Sequence, residues 1–185
     1  LMADSITRGC NTAHEKVEKI YKWVQEKIRY IAIEDGDNGF VPREASTVLS
    51  RRYGDCKDKA SLLTALIKSV GEEASFTVVG TRKLPYSFSE YPAITSGNHL
   101  IATWWDENNQ PIILDGTALH YKPGDIPPFI QGKECLIVKD SDNYVLYKIP
   151  VDEPEINLTI DTLTLQIDGK HLTGSGISVS RGDLR

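Results

Sequence analysis

The apolar residues of this chain change their spacing once, and that change limits the possible architecture more than any other feature. As far as Val70 they recur every three or four positions, and beyond Ser75 they alternate. Ala13, Val17, Ile20, Tyr21, Val24 and Ile28 form one helical stripe. They stand behind Thr12-Ala13-His14-Glu15, a capping-box pattern in which a hydroxyl and a carboxylate each satisfy a free backbone N–H of the first turn. A loop rich in Gly, Asp and Asn (Glu34 to Gly39) and Pro42 then lead to a short helical stretch carrying Ala45, Val48 and Leu49. From Cys56 a second stripe of Lys59, Leu63, Leu66, Ile67 and Val70 runs to Gly71, where a helix end favours a left-handed residue. This second helix is expected to be central and buried. Period-two runs follow at Ser75 to Arg82, His99 to Trp105, Pro111 to Asp115, Glu134 to Lys139 and Tyr144 to Ile149, with Asp106 to Gln110 as a turn. Helices followed by strands predict an α+β class.

With 185 residues, 40% hydrophobic, the chain can build one principal core. Its 21 basic and 26 acidic residues leave a net charge of -5, which supplies no basic footprint for nucleic acid and no polybasic membrane patch. No apolar run approaches the roughly 20 residues that span a bilayer, and the first residues lack a signal-peptide pattern. Cys10, Cys56 and Cys135 are odd in number and include no C-x-x-C pair, which argues against a disulfide scaffold and a zinc finger and leaves a Cys10 to Cys135 bridge as the alternative. No EF-hand pattern is present, so neither metal nor cofactor is expected. After Val151-Asp152-Glu153-Pro154, Leu and Thr alternate and Asp168-Gly169 signals a hairpin turn. Residues 1–152 are expected to form one domain, and 153–185 the truncated start of a separate β domain. Residues 83–98 make a loop longer than a compact domain usually keeps unless it lines a site. A plain surface excursion is the other reading of it.

Within "RRYGDCKDKASLLTALI", Cys56 falls in the first turn of the central helix, where unpaired N–H groups and the helix dipole favour a thiolate. Lys57 and Lys59 are expected to reinforce this and Asp55 and Asp58 to oppose it. A cysteine nucleophile needs a base, and the base needs an acceptor to orient it. His14 lies on a helix, His120 in a loop and His171 in the C-terminal segment; His99 alone opens a strand. Asp115 ends the return strand. With a turn centred near Glu107, His99 and Asp115 stand opposite each other with Cβ atoms about 5 Å apart, and a slip of two residues makes the contact diagonal.

"RRYGDCKDKASLLTALIKSVG", "NHLIATWW" and "ILDGTA" together resemble the transglutaminase-like superfamily, in the branch of bacterial multidomain proteins where this domain lies between two β domains. The similarity runs from about Val17 to Pro128. It implies a papain-like α+β fold with the central helix packed on an antiparallel sheet. It also implies roles: Cys56 as nucleophile, His99 as general base and acid, Asp115 as orienter. Residues 40–55 contain neither the Gln of papain-like proteases nor the Trp of animal transglutaminases, so the oxyanion hole is unassigned beyond the Cys56 N–H. The expected activity is attack on a carboxamide or peptide bond through an acyl-thioester, with hydrolysis preferred over amine transfer. The alternatives are a catalytically silent peptide- or glycan-binding module and an assembly component of a larger cell-envelope protein. A peptide or cell-envelope amide substrate, flanking β domains and an extracytoplasmic bacterial location are expected with it. Of Trp104 and Trp105, one is expected in the core and the other beside the cleft.

Overall fold

Capping decides where the long helices begin. Thr12 Oγ1 accepts the Glu15 N–H at 3.1 Å, and Glu15 Oε2 accepts those of Thr12 and Asn11 at 3.3 and 2.7 Å. Helix α2 (Ala13–Lys27) follows and buries Val17, Ile20, Tyr21 and Val24. The short α1 (Met2–Ile6), which carries no periodicity long enough to announce it, tucks Ala3 into the same core. α3 (Ala45–Arg51) leads to α4 (Cys56–Ser69), and Gly71, at φ +86°, takes the left-handed conformation just past the end of α4. The computed structural model of the chain describes residues 2–33 and 36–182, so Glu34 and Asp35 of the Gly, Asp and Asn-rich loop lie outside the described residues; Gly36–Gly39 make one 3-10 turn.

Two short strands, β1 (Arg29–Tyr30) and β2 (Tyr53–Gly54), pair in parallel just before α4. Five more form an antiparallel sheet: β3 (Ala74–Val79), β4 (His99–Trp105), β5 (Pro111–Leu114), β6 (Glu134–Val138) and β7 (Tyr144–Lys148), in the order β5-β4-β3-β6-β7. Ala102, Trp104 and Leu114 join Ile20, Tyr21, Val24, Leu62, Leu63 and Ile67 in one core, with α2 and α4 on that side of the sheet. Ile101, Trp105, Ile113, Ile126, Ile130, Cys135 and Ile137 form a second core from the alternate residues. Each fully buried Leu or Ile contributes about 1.5–3 kcal/mol. This is the α+β architecture expected, with the central helix on an antiparallel sheet.

Two expectations are corrected. The register pairs Ala102 with Leu114 and Trp105 with Pro111, so Asp115 falls level with Ile101 and meets His99 diagonally rather than directly. The cause is the loop: Asp106 N–H bonds Gln110 O at 3.0 Å while Asp106 Oδ1 accepts the N–H groups of Asn108 and Gln110, which centres the turn on Asn108. Trp104 and Trp105 are both buried, at 4% and 7% exposure, and neither borders the site. They end β4, about 20 Å along the strand from His99 at 3.3 Å per residue.

The chain divides into two compact units, Leu1–Pro150 and Val151–Arg185. In the second, β8 (Thr159–Asp168) pairs antiparallel with β9 (His171–Ser180) across a turn at Gly169 and Lys170. Leu163, Leu165, Ile167 and Leu172 share one face of this ribbon and are exposed.

Candidate active site

The start of α4 is built by a second capping box. Asp55 Oδ1 accepts the Asp58 N–H at 3.2 Å, and Asp58 Oδ2 accepts that of Asp55 at 3.3 Å. Gly54 must be glycine here, because a Cβ would lie 2.5 Å from that of Asp58. Cys56 is therefore the first helical residue, with its own N–H outside the helical bond ladder.

The charges around it are disposed differently from the expectation. Lys57 and Asp55, 2% and 0% exposed, pair with each other in the interior. Asp58, also wholly buried, accepts the Arg43 guanidinium at 2.6 Å and the Arg43 N–H at 2.8 Å, and the guanidinium reaches Ile33 O at 3.1 Å. Lys59 donates to Ile28 O at 2.8 Å. Burial pulls the Lys59 amine down to about 8, against an opposing pull from Asp115. Instead of the two lysines acting on the thiol and the two aspartates opposing them, Lys57 with Asp55 and Arg43 with Asp58 cancel as pairs. Only residues brought together across the fold, such as Arg43 and Asp58, could have revealed this.

His99 and Asp115 stand at the same end of the sheet, one opening β4 and the other following β5. His99 Nε2 lies 2.9 Å from Asp115 Oδ2. The second carboxylate oxygen accepts the Thr117 N–H at 2.9 Å and the Thr117 hydroxyl at 2.7 Å, and Tyr21 donates its hydroxyl to Asp115 O at 2.9 Å. Cys56 also acts on the His99 ring, helping Asp115 to favour its charged form, so thiol and imidazole are neighbours. With Nε2 committed to Asp115, Nδ1 is the ring nitrogen left for the thiol. The three predicted site residues thus lie together, with His99 and Asp115 directly bonded. Asp115 is fully buried and the His99 side chain 11% exposed, while Cys56 is only partly covered. Cys56 is the most exposed residue of the three.

Sequence reasoning missed Thr117, Tyr21 and Phe129. Thr117 was the most legible, since an Asp followed two residues later by Thr is an Asx-turn pattern. Phe129, 41% exposed, meets the His99 ring edge-on with centroids 5.5 Å apart. All three cysteines are free, so the Cys10 to Cys135 bridge does not form. Burial pushes the Cys135 thiol up to about 12. Among the described residues no group of three or more His, Cys, Asp or Glu side chains could hold a metal ion.

Burial opposes charge on His99, but the bond to Asp115 and the influence of Cys56 outweigh it and hold the imidazolium up to about 9. For Asp115, burial is likewise overcome by the bonds from His99 and Thr117, so its carboxyl lies below the usual range. A raised histidine stabilises the fold fully below its unfolded value near 6.5, and that stabilisation is lost as pH rises through about 9. Lys59, lowered to about 8, acts oppositely above that pH. The urea midpoint of the native protein minus that of His99→Gln should therefore be level below pH 6.5, fall as pH rises to about 9 and level off above it. Parallel midpoint curves would detach His99 from this dependence.

Residues 2–115 match the family described as the transglutaminase-like superfamily, a match that ends on Asp115. Among solved structures, a candidate protease from Parabacteroides distasonis superposes with a TM-score of 0.58 at 16% identity, over 80% of this chain and 26% of its own. That likeness is one of fold, and the present chain spans about a quarter of that protein's length. A candidate cysteine protease from Cytophaga hutchinsonii follows at a TM-score of 0.49 and 22% identity, over 64% of this chain and 36% of that one. EGTA-treated LapG from Legionella pneumophila gives 0.47 and 13%, over 78% and 76%. No curated protein matches the chain.

Proposed function

The chain belongs to the transglutaminase-like superfamily, and on that footing we propose that it is a cysteine-dependent enzyme attacking a carboxamide or peptide bond through Cys56. The observation that carries this reading is the grouping itself: a half-buried cysteine opening a helix, an imidazole whose charged form it favours, and a buried carboxylate 2.9 Å from one nitrogen of that ring.

The chemistry follows from the geometry. Cys56 Sγ, as the thiolate, forms a bond to the substrate carbonyl carbon while the carbonyl π electrons move to oxygen. The Cys56 N–H at the helix start is the donor available to that oxyanion. As the intermediate collapses the C–N bond breaks, and the leaving nitrogen takes the proton carried by His99. The acyl group stays on sulfur as a thioester. Water then gives a proton to the neutral imidazole and attacks the acyl carbon, releasing a carboxylic acid and restoring the thiolate–imidazolium pair. Asp115 holds the ring so that Nδ1 faces the sulfur throughout.

Hydrolysis is preferred over amine transfer because the tryptophans that could have shielded the thioester are buried at the other end of β4. The substrate is taken to be a peptide or a cell-envelope amide outside the cytoplasm of a bacterium, as the family resemblance suggests.

Brief exposure to iodoacetamide at neutral pH, followed by peptide mapping, tests the thiol. Cys56 should be alkylated at least about tenfold faster than Cys10, with Cys135 untouched. Equal slow labelling of all three would leave only a binding module. A Gln-containing peptide library incubated with a primary amine then identifies the acceptor: cleavage or deamidation fits hydrolysis, and amine adducts alone would overturn that preference.

A further inference from the structure

A large apolar group beside His99 stands in water, and the fold holds it there. Phe129 lies in Ile126-Pro127-Pro128-Phe129-Ile130, where Ile126 and Ile130 are anchored in the second core at 8% and 0% exposure. The Ile130 N–H closes the turn onto Pro127 O at 3.1 Å, and the Arg82 N–H bonds Phe129 O at 2.8 Å. Lys133 donates to Leu84 O and Tyr86 O at 2.8 and 2.9 Å, fastening the same two loops together again. Two prolines, two buried anchors and these bonds leave the Phe129 backbone little freedom, yet its ring remains 41% exposed. Its edge-to-face contact with His99, at 5.5 Å and 65°, puts that exposed apolar surface beside the reacting imidazole.

A rigidly presented aromatic ring gains free energy chiefly from an apolar group that covers it, at about 25 cal/mol per Å² removed from water. A carboxylate placed there would lose hydration and meet the negative face of the ring, and a strongly hydrated ammonium would recover only part of its hydration from that face. We infer that Phe129 is a specificity-determining residue: it selects peptide substrates that carry an apolar or aromatic side chain beside the bond under attack. This rests on the reading of Cys56 and His99 as the reacting pair. It adds the chemical class of the neighbouring substrate residue, which that reading leaves open.

Two alkylating agents with the same warhead separate the two ideas. Iodoacetamide and N-benzyl-iodoacetamide are reacted with the full chain, and the Cys56 rate for each is divided by the Cys10 rate in the same molecule. The benzyl reagent should favour Cys56 by about tenfold over the parent reagent. That preference should fall to near unity in Phe129→Ala, remain within about threefold of native in Phe129→Leu, and be unchanged in Tyr144→Ala, where an exposed ring on β7 is removed. A native ratio near one, or a ratio that Phe129→Ala leaves intact, overturns the role of Phe129 while the thiol reading stands. Failure of both reagents to select Cys56 overturns the reacting pair, and the inference with it.

Discussion

Asp115→Asn is expected to fold normally and to lower turnover about 10⁴-fold, the loss measured for the corresponding change in a serine protease triad. Asparagine is tolerated at such a position only if its carbonyl faces the imidazole, and here the opposite orientation is imposed. The Thr117 backbone N–H, 2.9 Å from Asp115 Oδ1, can only donate, so it holds the amide oxygen on its own side. The amide NH₂ is then turned towards His99 Nε2, which must become an acceptor. The ring proton moves to Nδ1, the nitrogen facing Cys56, and the imidazole can no longer take a proton from the thiol. Steady-state cleavage of a library-derived peptide, with circular dichroism to verify the fold, measures the effect. A variant within about tenfold of native turnover would reduce Asp115 to a turn residue.

The second large effect concerns stability. Lys57→Met removes the ion-pair partner that Asp55 has among the described residues, leaves a carboxylate with no solvent exposure uncompensated, and should cost about 3–5 kcal/mol. Against a typical total of about 5–15 kcal/mol this is severe. Combining Lys57→Met with Asp55→Asn should recover most of the loss, because asparagine still caps α4 and no charge is left stranded. Urea unfolding of the two variants provides the comparison. If the single variant unfolds at the native midpoint, the pair does not bear on stability.

The parts of this molecule that follow local rules could be read from the sequence. Thr12 with Glu15, the apolar stripe from Cys56 to Val70 and Gly71 beyond it specify their helices within a few residues of chain. The order Cys56, His99, Asp115 pointed to the residues that the fold brings together, since one opens a helix and the other two adjoin a hairpin. The features that escaped depend on distance in space. The turn at Asp106 moved the register by two residues, and Lys57, whose charge was expected to act on the thiol, is turned inward to Asp55. Phe129 reaches His99 from thirty positions away in the chain, and no periodicity encodes such a meeting.

Val79 pairs with His99 on one side and with Cys135 on the other, so residues 80–98 and the segment entering β6 leave the sheet from a single end. The thiol, imidazole and carboxylate are secured by caps, strand pairs and the Thr117 and Tyr21 bonds, none of which uses the tips of those segments. Such an arrangement separates what must stay constant for chemistry from what is free to vary. New substrate preferences are reachable by mutation at the loop tips alone, without passing through intermediates that have lost the reacting groups. If Cys56 reacts as proposed, a descendant of this chain could change its diet before it changed its machinery.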